Sequence, residues 1–260
     1  YRTSLIFNRN NSTSFTSSFS RGYKSGGVNQ QPYLNEISRP YGPEALITAE
    51  IGVKHQTHNL RSNFICFYGL RKDQQVSISS QQIEGDPNSF IYYTSNAGSG
   101  YISGIEWENK LKILPRIELD ISIAYLDTWV DSFNYFIADG IKGFGGNRQA
   151  AMSPKLNGSI NLFYHGPIGL STSLNTSYKS DYYYSDSHNE KSRAYSSTDL
   201  SISKALGKSS KISLWTRNIF DKRYTTRGFY FALIPPEYPE QLWESYADPR
   251  QLGLTYSYSL

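Results

Sequence analysis

Along most of this chain apolar and polar residues alternate one for one. Ile47, Ala49, Ile51 and Val53 stand against Thr48, Glu50, Gly52 and Lys54. Leu119, Ile121, Ile123 and Tyr125 stand against Glu118, Asp120 and Ser122. Leu156 to Tyr164 and Leu252 to Leu260 repeat the pattern. A period of two is that of an extended strand with one apolar and one hydrated face. A sandwich in water would show the same alternation. The difference is length, because many of these segments run ten to fourteen residues. Strands in water average about five or six residues, whereas a tilted strand crossing a bilayer needs about nine to eleven.

The pattern predicts eleven strands, over roughly 1–9, 12–23, 45–56, 60–81, 90–113, 117–130, 153–164, 168–183, 194–206, 211–220 and 247–260. The connections alternate strictly between short turns and long loops. The long ones are 24–44, 82–89, 131–152, 184–193 and 221–246. That asymmetry is the signature of an outer-membrane barrel with its long loops outside the cell. The expected fold is therefore all-β, a transmembrane antiparallel up-and-down β-barrel. The last strand then runs inward and ends in the periplasm, and the first also runs inward from an extracellular Tyr1. Single-chain bacterial barrels have even strand numbers, so an odd count leads us to expect either at least one strand before Tyr1 or a count off by one.

Composition changes the picture in two places. Net charge is only +4, from 26 Lys and Arg against 22 Asp and Glu, too balanced to indicate a nucleic-acid partner. Mean hydropathy is −0.52, and no run approaches the roughly 18 apolar residues of a membrane helix. The aromatic content points to a membrane all the same: 22 Tyr, 13 Phe and 4 Trp. Tyrosine suits bilayer interfaces, and alternation keeps a barrel's mean hydropathy low. The single cysteine, Cys66, shares a strand face with Phe64 and Tyr68 and reads as a small hydrophobe. No initiator Met or signal-peptide pattern is present, so processing or a longer parent protein is expected.

Four stretches stand out in order: Ser18 to Asn29, with its Gly26-Gly27 pair; Pro43-Glu44 with Ala49 to Lys54; Asn96-Ala97 with Gly104 to Glu106; and Asn218 to Tyr224 followed by Asp248 to Gln251 and Gly253 to Tyr258. In this order and spacing they resemble the C-terminal half of the barrel of TonB-dependent outer-membrane receptors. Family members commonly end in an aromatic residue, and this chain ends in Leu260. The resemblance implies a 22-stranded barrel filled by an N-terminal plug. Residues 1–260 would be its C-terminal portion, with the plug and the first barrel strands absent from this chain. It also implies the outer membrane of a Gram-negative bacterium, energy-coupled uptake of a ferric siderophore or other iron chelate, and a TonB energy-transducing complex engaged through the missing plug. Lipid bilayer and lipopolysaccharide would be the other partners.

No catalytic residues, metal site or cofactor are expected. Ser187-His188 lies in a long loop with the acids Asp186 and Glu190, but a barrel hydrolase needs Ser, His and an orienting group on facing strands, so one adjacent pair is a poor fit. His55 and His58 flank a turn without a carboxylate set. The long loops are rich in aromatic residues and arginine, which suit an anionic or aromatic ligand. Candidate ligand contacts are Tyr135, Phe136, Phe144, Arg148, Arg227 and Tyr230. Gly140, Gly143, Gly145 and Gly146 would let that loop close as a lid. Tyr182 to Tyr184 sit at a strand end and are expected in the outer aromatic girdle. Glu50, Lys54, Glu106, Glu108, Lys110 and Asp120 should face the lumen, a lining that a passive porin would share. Porin, or an adhesin or structural barrel, is the alternative function.

Overall fold

The computed structural model describes every residue of 1–260 except 33, 35, 138–141 and 260. Eleven strands form one antiparallel sheet, the wall: β1 (Arg2–Asn10), β2 (Thr13–Lys24), β5 (Glu44–Gln56), β6 (Leu60–Lys72), β9 (Gly100–Leu114), β10 (Ile117–Val130), β13 (Leu156–His165), β14 (Leu170–Lys179), β15 (Tyr195–Leu206), β16 (Ser210–Arg217) and β19 (Gln251–Tyr258). Every strand pairs with the next wall strand in sequence, as in an up-and-down barrel. Eight further strands form four two-stranded hairpins beyond one end of the wall, in the long connections. They are β3 (Gly27–Val28) with β4 (Pro40–Tyr41), β7 (Gln75–Gln81) with β8 (Phe90–Asn96), β11 (Phe133–Phe136) with β12 (Lys142–Gly145), and β17 (Thr225–Phe231) with β18 (Gln241–Tyr246).

The register lays residues of one kind in rows across the wall. Phe15, Val53, Phe64, Trp107 and Ile123 are successive partners from β2 to β10. One residue away, Ser14, Lys54, Asn63, Glu108, Ser122, Ser159, Ser177 and Ser197 form the row on the other face. A slip of one residue would exchange the two faces, so the apolar row pins the register. Glu50, Lys54, Glu106, Glu108, Lys110 and Asp120 all fall on the polar face, the one expected to line the lumen. Lys110 Nζ donates to Asp120 Oδ2 at 3.0 Å across β9 and β10.

Large side chains on the lumenal face rest on glycines of a neighbouring strand. Phe67 lies over Gly104, where an added Cβ would come within 2.6 Å of its ring and 2.5 Å of the Tyr125 carbonyl. Trp215 covers Gly253 in the same way, at 2.1 Å. A strand glycine here marks a close approach.

Two expected strands are each two strands. The 60–81 segment breaks at Asp73, whose φ of 52° an aspartate tolerates. The 90–113 segment breaks between β8 and β9. The pieces beyond the breaks, β7 and β8, pair with each other instead of extending the wall. Apolar positions resume in the same phase beyond the polar run 71–75 and beyond the small, polar run 94–100, so the phase alone could not place the breaks. The last strand stops at Tyr258, and Leu260, expected to end it, lies outside the described residues.

Burial is uneven. The buried apolar cluster comprises Leu34, Val76, Ile78, Ile91, Tyr93, Ala97, Val130, Phe133 and Ala150. These lie in the long connections or, like Val130, at the strand end that enters them. The long connections thus fold together into a crown with its own small core.

Candidate functional site

The long connections are held to one another by side chains that reach backbone. Asp186 accepts from the Ser77 amide at 3.1 Å and the Ala151 amide at 3.3 Å. Ser187 Oγ accepts from the Ser79 amide and also lies 3.3 Å from that residue's carbonyl. Tyr93 exchanges two bonds with Phe136: its hydroxyl donates to the Phe136 carbonyl at 3.2 Å and accepts from that residue's amide at 3.0 Å. Buried backbone groups need such partners. Burial raises the Asp186 carboxyl above its ordinary range, in spite of those amides and Arg148. It also pushes the Tyr93 phenol up to about 12.

Four of the six candidate ligand residues are tied into this scaffold. Arg148 donates to the carbonyls of Ser185 at 2.8 Å and Asp186 at 3.0 Å, and to Asn189 at 2.8 Å. Its guanidinium also lies 4.0 Å from the Tyr183 ring centre. Burial draws its pKa down. Tyr135 donates to the Ser187 carbonyl at 3.0 Å. Phe136 takes part through its backbone. Tyr230 is 5% exposed, stacks on His188 at 3.5 Å between ring centres, and bonds Glu190 through its hydroxyl. Burial, then that carboxylate, drives the Tyr230 phenol far above its usual value.

The other two are free. Phe144 is 77% exposed near the end of β12. Arg227 is exposed on β17, 5.4 Å from the Phe229 ring, and makes no ion pair among the described residues. Arg227 and Tyr230 share one cavity of about 330 Å³, lined also by Tyr92, Tyr184, Asp186 and Phe229. Beside it Phe90, Tyr92 and Phe231 pack ring against ring, 5.6 to 5.9 Å apart. Sequence reading missed Tyr92 and Tyr184, because both lie in segments assigned to wall strands or to the girdle. Gly140 lies outside the described residues.

Tyr182 and Tyr184 are not girdle residues. Both are buried in the crown, where Tyr182 donates to the Thr226 carbonyl at 2.8 Å and Tyr184 to Glu244 at 2.7 Å. The wall strand β14 ends at Lys179, so these rings are beyond it. Burial pushes the Tyr184 phenol up to about 12.

Glu240 approaches His188 Nε2 at 2.5 Å, while Ser187 Oγ lies 3.1 Å from Nδ1. The order of groups is that of a hydrolytic triad, but the hydroxyl is walled in. Ser187 is 8% exposed and occupied by the β7 backbone. A nucleophile needs room for a substrate carbonyl, so this cluster is a clasp between connections.

The last two wall strands are stapled at their outer ends. Asn218, at φ 48°, accepts the Lys222 amide at 3.0 Å and donates to the Asp248 carbonyl at 3.3 Å. Asp221 accepts the Arg250 amide at 2.8 Å. The two segments at 218–224 and 248–251 therefore form one interlocked turn.

The model of the family described as TonB dependent receptor-like, beta-barrel, matches residues 1–219. The pesticin receptor of Yersinia pestis is 24% identical over 222 residues, 80% of this chain and 29% of that protein. The ferric yersiniabactin uptake receptor from Yersinia pestis superposes with a TM-score of 0.78 at 19% identity, over 99% of this chain and 36% of that one. The siderophore receptor PiuA from Acinetobacter baumannii gives 0.77 at 18%, over 99% and 35%. The chain thus spans about a third of the length of these relatives. Those relatives are receptors, not enzymes. With the family match reaching from Tyr1 into the last stapled turn, the chain belongs to the TonB-dependent receptor β-barrel family of the Gram-negative outer membrane.

Proposed function

We propose that the protein is the receptor for energy-coupled uptake of a ferric siderophore or other iron chelate. The crown binds the chelate from outside. The observation that carries this reading is the cavity joining Arg227, Tyr230 and Phe229. An uncommitted guanidinium beside aromatic faces fits an anionic ligand with planar groups. Phe144 supplies a second, separate exposed contact. The similarity to receptors for ferric yersiniabactin and siderophores points to the same cargo class. Arg148, Tyr135, Phe136 and Tyr230 act mainly as scaffold, holding the connections in place around the cavity.

In this reading residues 1–260 are the C-terminal part of a 22-stranded wall. A plug and the earlier strands come from sequence preceding them, and the TonB complex engages that plug. The charges lining the polar face would then meet the plug. Lys54, Arg61, Glu106 and Glu108 have no ion-pair partner among the described residues, which leaves them available.

Titration of the purified full-length protein with ferric siderophores, followed by quenching of its aromatic fluorescence, tests the site. Saturable quenching should weaken roughly ten-fold in Arg227→Gln, the loss of one charge-assisted contact. Equal affinities in wild type and Arg227→Gln would remove the cavity from the account.

A further inference from the structure

We infer that the end of the wall opposite the crown binds the phosphate headgroups of anionic phospholipids. The inference rests on the outer-membrane reading of the wall and adds a lipid partner at its other rim.

Arg9 stands beside the first short turn, and Arg116 and Lys208 lie in later ones, all three exposed. Lys204 stands on the apolar face just above the last of these turns, paired across with Leu170 and Ile212. None of the four enters an ion pair among the described residues. The nearby acids are Glu108, Glu118 and Asp120. By register each lies on the lumenal face, opposite Asn63, Lys112 and Lys110 respectively. By register Lys204 lies on the membrane-facing side of this rim, and among the described residues the acids near it all face the lumen. The crown end is different, with charges of both signs in pairs such as Arg71–Glu44, Lys155–Asp127 and Lys191–Asp181.

Apolar and phenolic groups accompany the cations. Ile168 is 84% exposed at the tip of the β13–β14 turn, and Lys204 Nζ donates to its carbonyl. That bond brings the ammonium to the level of the turn. Leu206, Tyr164, Tyr256 and Tyr258 are exposed on the same face. Aliphatic groups, phenols and unpaired cations at one level are what a headgroup region accepts. An acidic protein partner would not call for the apolar members. The phosphodiester of a lipid with net negative charge, phosphatidylglycerol or cardiolipin, matches both.

The test uses the full-length protein in bilayers of phosphatidylethanolamine, with or without phosphatidylglycerol. Native mass spectrometry then counts the lipids retained after extraction. Phosphatidylglycerol should be retained in preference, and the preference should decay as salt rises. The combined variant Arg116→Gln, Lys204→Gln, Lys208→Gln should lose it by roughly ten-fold or more, taking a few-fold per basic group. Unboiled gel mobility shows whether that variant is folded; if it is not, the salt series on the wild type decides. Equal retention of both lipids, or a folded triple variant that matches the wild type, overturns the proposal. Displacement of the lipid by an equal concentration of inorganic phosphate also overturns it, by showing a free-anion site. Failure of the protein to enter either bilayer would instead sink the barrel reading.

Discussion

Phe64 and Trp107 face each other across two wall strands, and each is more than a third exposed within this chain. Ile78 and Val76, on a crown hairpin, are 0% and 1% exposed. Both regions are β-structure, yet they cohere differently. The wall is joined strand to strand by backbone ladders up to fourteen partners long, and its apolar face is built to meet lipid. The crown hairpins are short, at most seven residues a strand, and are joined by a buried apolar cluster and by side chains such as Asp186 and Arg148 that bond foreign backbone. A two-stranded hairpin is marginal alone. The crown therefore depends on packing, and the wall on pairing.

Substitutions can separate the two. Ile78→Ala should have the largest effect, about 2–5 kcal/mol against crown cohesion. Hydrogen exchange should rise across 75–96 and 133–150, while unboiled gel mobility, a readout of the wall, stays unchanged. Gly104→Val should do the reverse. Its side chain would meet the Tyr125 carbonyl and the Phe67 ring, costing about 1–3 kcal/mol and reducing the gel-resistant form. Arg148→Gln leaves the Ser185 and Asp186 carbonyls short of donors. It should cost about 1–3 kcal/mol, read as faster exchange at 183–190. If Arg148→Gln changed ligand affinity alone, the scaffold role would be lost. Phe144→Ala, on an exposed ring, should alter stability by less than about 0.5 kcal/mol and show itself only in chelate binding.

The smallest effect concerns pH. Burial works against the Glu190 charge, yet the Tyr230 hydroxyl and nearby groups hold its pKa below the ordinary value. Its contribution is complete above its unfolded value and is lost as pH falls through the lower folded one. Asp186, raised by burial, opposes this, since its charged form is the costly one. Exchange at 225–231 should thus rise only modestly on acidification, and Glu190→Gln should remove the rise.

The contrast also explains what could be read from sequence. Ten of the eleven wall strands overlap their expected segments closely at the turn end, because rows such as Phe15–Val53–Phe64–Trp107 impose alternation over long runs. The crown was harder. Ser77, Ser79, Tyr92 and Thr94 alternate with Val76, Ile78, Ile91 and Tyr93 as regularly as any wall strand. A period of two states that a segment is extended and half-buried; it does not state which sheet it joins. The polar run 71–75 and the glycines at 98 and 100 were the available signs of the breaks. The cavity was half legible. Arg227 and Tyr230 stood out as loop residues, whereas Tyr92 and Tyr184 come from elements whose neighbours depend on the crown's long-range packing. Glu240 as the partner of His188 was invisible, 52 positions away.

The central claim is energy-coupled uptake of an iron chelate by the protein to which this wall and crown belong. Its most direct test is the entry of radiolabelled ferric siderophore into iron-limited cells whose only receptor is the full-length protein, with and without a protonophore. The account predicts accumulation that stops when the proton gradient collapses and that falls in Arg227→Gln. Entry that continues unchanged without the gradient would make the protein a passive pore and contradict the account.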